Sequence, residues 1–185
     1  MKVAIFGAGG LVGAAFVRHL ANHNDVLAFK HADVDISNSQ AVGDALFNQR
    51  PALVVNCAVL GVDACERNPS LAWSVNVAGA RNLATVANEV GAQFIHFSSN
   101  YVFDGERSRD SSYTIDDPPN PINVYGETKL ASERAVGTAT PHGFIVRTSW
   151  VFGGKNNFLS AGPRSLLAGQ KVRAITDVGQ RHIRL

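Results

Sequence analysis

The sequence predicts an α/β fold, a doubly wound parallel sheet in a three-layer αβα arrangement, and three observations carry that expectation. Short apolar runs rich in β-branched and aromatic residues alternate with helix-like stretches along the chain. The runs lack polar alternation, as strands covered on both faces do. A cluster of glycines separates the first run from the first helical stretch, where open α/β sheets place a ligand crevice.

The expected strands are residues 3–6, 26–29, 53–57, 94–97 and 144–146, and the expected helices are 11–21, 39–49, 71–90 and 124–136. Trp73, at a helical position, is expected in the core. Between the fourth strand and the fourth helix, residues 100–121 hold Asp117-Pro118-Pro119-Asn120-Pro121 and show no sustained period. Such long connections in tight domains are often functional. A weaker helix near 157–168 and a strand near 172–176 precede a polar, basic end at 177–185. The expected organisation is therefore one nucleotide-binding domain over 1–177, followed by an atypical tail over 178–185.

Composition narrows the function classes. A chain of 185 residues with 45% hydrophobic and 17% charged residues suits one buried core and argues against disorder. Its net charge is +2, with Lys and Arg dispersed, so no footprint for nucleic acid or an anionic membrane is present. Cys57 and Cys65 are the only cysteines, and His19, His23, His96, His142 and His182 show no ligand spacing. No metal is expected, and reduced thiols suit the cytoplasm. No apolar run reaches the ~18 residues of a membrane span. Small molecules are the expected partners.

Gly7-Ala8-Gly9-Gly10-Leu11-Val12-Gly13 directly follows the first strand and opens the first helix. In that context the glycines permit a tight turn, let backbone N–H groups approach a pyrophosphate, and aim the positive helix end at it. Gly7, Gly9, Gly10, Leu11, Val12 and Gly13 are thus candidate contacts to a dinucleotide in a Rossmann-like fold. After the second strand, where an acidic residue would hold a ribose hydroxyl of NAD, the chain reads Ala28-Phe29-Lys30-His31. Lys30 can instead face the extra phosphate of NADPH, although a surface lysine without that role reads the same way. NADPH is the expected cofactor, with NADH still open. Asp35 and Ile36 are candidates to flank the adenine; a plain capping role for Asp33 or Ser37 is the alternative.

Tyr125-Gly126-Glu127-Thr128-Lys129 places a phenol and an ammonium at i and i+4, on one face of a helix. A nearby cation favours the phenolate, so Lys129 is expected to lower the pKa of Tyr125. Ser98-Ser99 ends the fourth strand, at the sheet edge where ligands bind. A hydroxyl there can bond a substrate carbonyl while Tyr125 supplies the proton. Ser99 is preferred to Ser98, with a turn cap as the alternative reading.

With residues 7–13, Ser98-Ser99-Asn100-Tyr101-Val102-Phe103-Asp104-Gly105, residues 125–129 and Arg147-Thr148-Ser149-Trp150-Val151-Phe152, the chain resembles the dTDP-4-dehydrorhamnose reductase family of extended short-chain dehydrogenases. The resemblance implies reduction of the 4-keto group of a dTDP-linked deoxysugar by NADPH or NADH. It implies a catalytic set of Ser99, Tyr125 and Lys129, and makes Asn56, Cys57 and Ala58 the stretch lining the cofactor. Val62, Asp63, Asn100, Tyr101 and Trp150 fall where the family meets substrate or nicotinamide. Related reductases often pair through helices flanking the sheet, so a homodimer is compatible with the resemblance. Two departures stand out. The family usually has an aspartate at the place of Asn100, and an amide gives up the charge that holds sugar hydroxyls. Family members also continue into a sugar-nucleotide lobe, whereas here the resemblance is expected to end near Asp177 with that lobe largely missing. A noncatalytic regulatory protein, like the beta subunit of eukaryotic methionine adenosyltransferase, and an inactive reductase fragment are the rival readings.

Overall fold

A computed structural model describes residues 1–107, 111–153 and 158–169, with side chains described throughout except at 158–162. The strands are β1 (Lys2–Phe6), β2 (Asp25–Phe29), β3 (Leu53–Asn56), β4 (Gln93–Ser99) and β5 (Gly143–Thr148). All four pairings are parallel, in the order β2-β1-β3-β4-β5. The direction of winding reverses between β1 and β3, and such a switch point opens a crevice at the carboxyl ends of the two strands. The expected fold class is therefore the observed one.

The helices are α1 (Leu11–Leu20), α2 (Ser39–Phe47), α3 (Val62–Arg67), α4 (Pro69–Ala72), α5 (Ala80–Glu89), α6 (Val124–Ala139) and α7 (Phe158–Leu167). One face of the sheet, through Ala4, Phe6, Val54 and Phe94, packs on Val42 and Leu46 of α2, Leu83 and Ala87 of α5, and Val136 of α6. The opposite face, through Val3, Ile5 and Val55, packs on Phe16, Val17 and Leu20 of α1. Period 2 in the strands thus feeds two apolar layers, so continuous apolar runs read as buried strands. Strand β5 differs, because Phe144 and its neighbours Ile145 and Val146 are exposed at the sheet's end.

The third expected helix, over 71–90, is three pieces. Asn68 accepts the Leu71 N–H at its head with Pro69 in the first turn, α4 follows, and residues Trp73–Gly79 form a π-helix before α5. Helix α3 is an addition to the expected set. Trp73 is 45% exposed, which corrects its placement in the core: it opens the π-segment on the outer side, where the wider winding turns Asn76 inward (2% exposed) instead. The segment after β4 forms one 3₁₀ turn, Asn100–Val102, and among the described residues holds no other helix or strand before α6. Among the described residues no helix is long and apolar enough to cross a membrane. The strand expected at 172–176 and the tail at 178–185 lie outside the described residues.

Candidate active site

The glycine turn lies at the switch point. Gly7 has φ +77°, and a Cβ there would lie 2.5 Å from the Ala58 nitrogen, so the ends of β1 and β3 approach closely only through a glycine. A Cβ at Gly13 would come within 2.3 Å of the Gly7 carbonyl oxygen. These two glycines are required by packing alone. Gly9 is different: it is exposed, and the nearest heavy atom to a Cβ there is Lys30 Cγ at 3.6 Å. The protein's own packing therefore does not demand a glycine at 9.

Helix α1 begins at Gly10 with no side-chain cap and no acidic residue in its first turn. Its first N–H groups, including those of Leu11 and Val12, face outward as donors for an anion. An uncapped helix end over an exposed glycine turn fits the pyrophosphate of a dinucleotide. Exposed Lys30 lies beside Gly9, with its backbone N–H held by Asp33 at 2.8 Å. The Asp35 carboxylate accepts both the backbone N–H and the hydroxyl of Ser37, which hold its pKa below the ordinary value. Ile36 is 5% exposed and packs in the core against Gly79, so it offers a ligand only backbone.

Across the crevice, helix α6 is set by Asn123, whose side chain accepts the Gly126 N–H at 2.7 Å. A Cβ at Gly126 would stand 2.2 Å from the Tyr101 carbonyl oxygen, so glycine between Tyr125 and Lys129 lets α6 close on the turn that ends β4. This brings Ser99, Tyr125 and Lys129 to the carboxyl end of β4. Ser99 accepts the Tyr101 N–H at 3.2 Å and donates to Asn100 Oδ1 at 3.4 Å, and its hydroxyl is near enough to Tyr125 to act on the phenol's pKa. It is both the turn cap and the hydroxyl beside the phenol. The Tyr101 ring meets Tyr125 edge-on at 5.6 Å between centroids. Ser98 is buried, and its hydroxyl has no partner among the described residues.

Lys129 is 1% exposed and donates to the Phe97 carbonyl at 2.6 Å. Burial lowers its pKa from the ordinary 10.5 to about 8, against the pull of Glu133, Cys65 and Cys57. Burial also pushes the Tyr125 phenol above its ordinary value, while the Ser99 hydrogen bond opposes the rise. The expected lowering by Lys129 is not among the influences on Tyr125, because the ammonium is turned to the Phe97 carbonyl. Half-buried Cys57 sits in the loop after β3, its thiol pushed up to about 12 by burial.

Of the remaining expected residues, Val62 opens α3 half-buried and Asp63 is exposed in its first turn. Asn100 and Tyr101 line the turn after β4, and Trp150, half-exposed, lies in a shallow hollow formed by residues 146–152 beyond β5. Sequence reasoning passed over Asn76, which accepts the Leu60 N–H at 2.7 Å and donates to Thr128 Oγ1 at 3.0 Å; Thr128 in turn donates to the Tyr125 carbonyl at 2.8 Å. It also assigned nothing to His96, which lies between Asn56 and Ser132. An asparagine within an apolar helical stretch is the signal that points to Asn76. His96 is signalled by a polar residue within a buried strand.

The sheet order and the glycine turn at the switch point define a Rossmann-like α/β unit. The family model described as the RmlD substrate binding domain matches residues 1–181, and the chain belongs to that family. Over 171 residues it is 41% identical to the dTDP-4-dehydrorhamnose reductase of Mycolicibacterium smegmatis, covering 91% of this chain and 51% of that protein. A crystal structure of a dTDP-4-dehydrorhamnose reductase from Clostridium acetobutylicum is similar with a TM-score of 0.84 at 38% identity, covering 89% of this chain and 59% of that one. The dTDP-4-dehydrorhamnose reductase of Bacillus anthracis, crystallised with NADP, gives 0.84 at 35% identity over 89% of this chain and 59% of its own. The chain thus spans about half the length of the relatives it matches.

Proposed function

We propose that this chain carries the dinucleotide site and the proton-transfer residues of an NADPH-dependent reductase of a nucleotide-linked deoxysugar, acting on a 4-keto group. The observation that carries the reading is the convergence of Ser99, Tyr125 and Lys129 at the end of β4, across the crevice from an uncapped glycine turn. The names of the similar reductases, and the NADP held by one of them, support the substrate class and the cofactor.

Backbone N–H groups of Gly9, Leu11 and Val12 would hold the pyrophosphate, with the Gly10 N–H already closing the turn on the Gly7 carbonyl at 3.0 Å; Lys30 would hold the 2′-phosphate, and Cys57 and Ala58 the cofactor's side of the crevice. When bound, the reduced nicotinamide supplies a hydride to the carbonyl carbon. Negative charge then develops on the sugar oxygen, where the Ser99 hydroxyl donates a hydrogen bond and Tyr125 transfers its proton. The product is the alcohol and a transient phenolate. Lys129 would stabilise that phenolate by turning its ammonium from the Phe97 carbonyl toward Tyr125 as the charge forms. Asn100 and Tyr101, with Val62 and Trp150 at the rim, would contact the sugar nucleotide. Helices flanking the sheet suit a homodimer, and the free thiols of Cys57 and Cys65 suit a reducing, cytoplasmic setting.

The test is oxidation of NADPH on adding dTDP-4-keto-6-deoxy sugar to the chain and to Tyr125→Phe. Turnover that falls by about 10²-fold or more in the variant, with cofactor affinity kept, supports the assignment. Cofactor binding without turnover in either protein leaves a nucleotide-binding protein and removes the reductase activity from this chain.

A further inference from the structure

We propose that His96 is a positioning residue for Lys129, tying the lysine's helix to the loop after β3 that lines the ligand crevice. The inference rests on the reading of Lys129 given above. Hydrogen-bond directions follow from one fixed point. Asn56 Oδ1 accepts the Ala58 N–H at 3.0 Å, so the amide Nδ2 of Asn56 is the atom presented to His96 Nδ1 at 3.1 Å. Nδ1 is then an acceptor, and the proton of the neutral ring resides on Nε2. That proton goes to Ser132 Oγ at 2.9 Å, and Ser132 donates its own to the Lys129 carbonyl at 2.7 Å.

Strands β3 and β4 and helix α6 are thereby joined in one relay, which begins at the crevice loop and ends on the residue that carries the ammonium. His96 Nε2 also stands 3.5 Å from Lys129 Nζ. With its proton on that nitrogen the ring offers the ammonium no lone pair, so it walls Lys129 on one side and leaves the Phe97 carbonyl as its acceptor at 2.6 Å. Asn56, His96 and Lys129 are each 1% exposed and Ser132 is 0% exposed, so water does not compete for these bonds. Burial, together with the Lys129 charge, holds the His96 pKa well below its ordinary value and keeps the ring neutral. The other titratable groups acting on Lys129 are Glu133 on its own helix, Cys65 on α3 and Cys57 after β3.

The first measurement is ¹⁵N NMR of the His96 imidazole in the wild-type chain at neutral pH. A neutral ring protonated on Nε2 is expected; a proton on Nδ1, or an imidazolium, overturns the proposal. The second compares His96→Gln, His96→Leu and Ser132→Ala, each checked for folding by circular dichroism, through the Lys129 Nζ titration and NADPH fluorescence. A glutamine amide N–H reaches the place of Nε2, whereas leucine only fills volume. His96→Gln is expected to bind NADPH within about threefold of wild type, and His96→Leu and Ser132→Ala about tenfold more weakly, the scale of one lost buried hydrogen bond. In the weak binders the Lys129 titration moves from about 8 toward 10.5 as the ammonium leaves its dry seat. Leucine matching glutamine in both readouts makes His96 a packing residue and overturns the proposal; if the leucine variant does not fold, Ser132→Ala decides alone, a wild-type result overturning it. The lysine titration is read without cofactor, so a wild-type chain that binds no NADPH refutes the functional reading while this one is still judged on its own data.

Discussion

Lys129 is an ammonium at 1% exposure whose short hydrogen bond goes to the Phe97 carbonyl, and the consequence of that burial is a stability that depends on pH in a calculable way. Its pKa falls from 10.5 in the unfolded chain to about 8 in the folded one, which corresponds to about 3 kcal/mol of destabilisation carried by the charged form. A group with a depressed folded pKa contributes stability that is present above its unfolded value and lost as pH falls through its folded value. For Lys129 that window runs from 10.5 down to about 8, and at neutral pH the whole cost is in place. Methionine fills nearly the same volume without charge. Lys129→Met leaves the Phe97 carbonyl without its donor, a loss of about 1 kcal/mol, so the net gain at pH 7 is about 2 kcal/mol. Urea unfolding of both proteins across this pH range measures it. The variant is expected to be the more stable at pH 7 and to lose that advantage above pH 10.5, where the wild-type lysine is neutral in both states. A variant less stable than wild type at pH 7, or a difference that does not change with pH, would refute the account of Lys129 as a strained, desolvated cation.

The glycine turn makes a paired prediction. Gly13→Ala places a methyl 2.3 Å from the Gly7 carbonyl and is expected to lower stability by about 1–3 kcal/mol. Gly9→Ala meets no atom closer than 3.6 Å, so its melting temperature is expected to stay near wild type while NADPH titration shows weakened binding; unchanged affinity would remove Gly9 from the site. Lys30→Glu is expected to weaken NADPH more than NADH in parallel fluorescence titrations, and equal losses would leave Lys30 a surface residue. His96, neutral when folded, binds a proton only on unfolding as pH falls below 6.5. Its contribution to stability is therefore expected to fall by about 1.4 kcal/mol for each pH unit below 6.5 until the folded ring protonates, and His96→Gln is expected to flatten that slope in urea unfolding.

What the sequence made legible follows from which interactions are local. Strand runs with no polar alternation and the placement of Gly7 and Gly13 were readable because a covered parallel sheet and a close strand–helix turn impose them on consecutive residues. Ser99, Tyr125 and Lys129 were readable for the same reason: a strand end and an i, i+4 helical spacing are properties of short segments. The π-segment at Trp73–Gly79 was not, since one wider turn in a continuous helix changes no residue type and its effect is to turn Asn76 toward Thr128, 52 positions away. His96 and Ser132 join across 36 positions, and their significance exists only once β4 lies against α6. The expected influence of Lys129 on Tyr125 assumed that side chains sharing a helix face also share an electrostatic target. The Phe97 carbonyl, supplied by β4, takes the ammonium instead.

The measurement that tests the central claim most directly is a fluorescence titration of the chain with NADPH, repeated with Gly9→Ala. Saturable binding by the wild-type chain that weakens in the variant without a change in folding is the predicted result. No binding by a wild-type chain shown to be folded would contradict the assignment of the glycine turn as a dinucleotide site, and with it the functional reading built on that site.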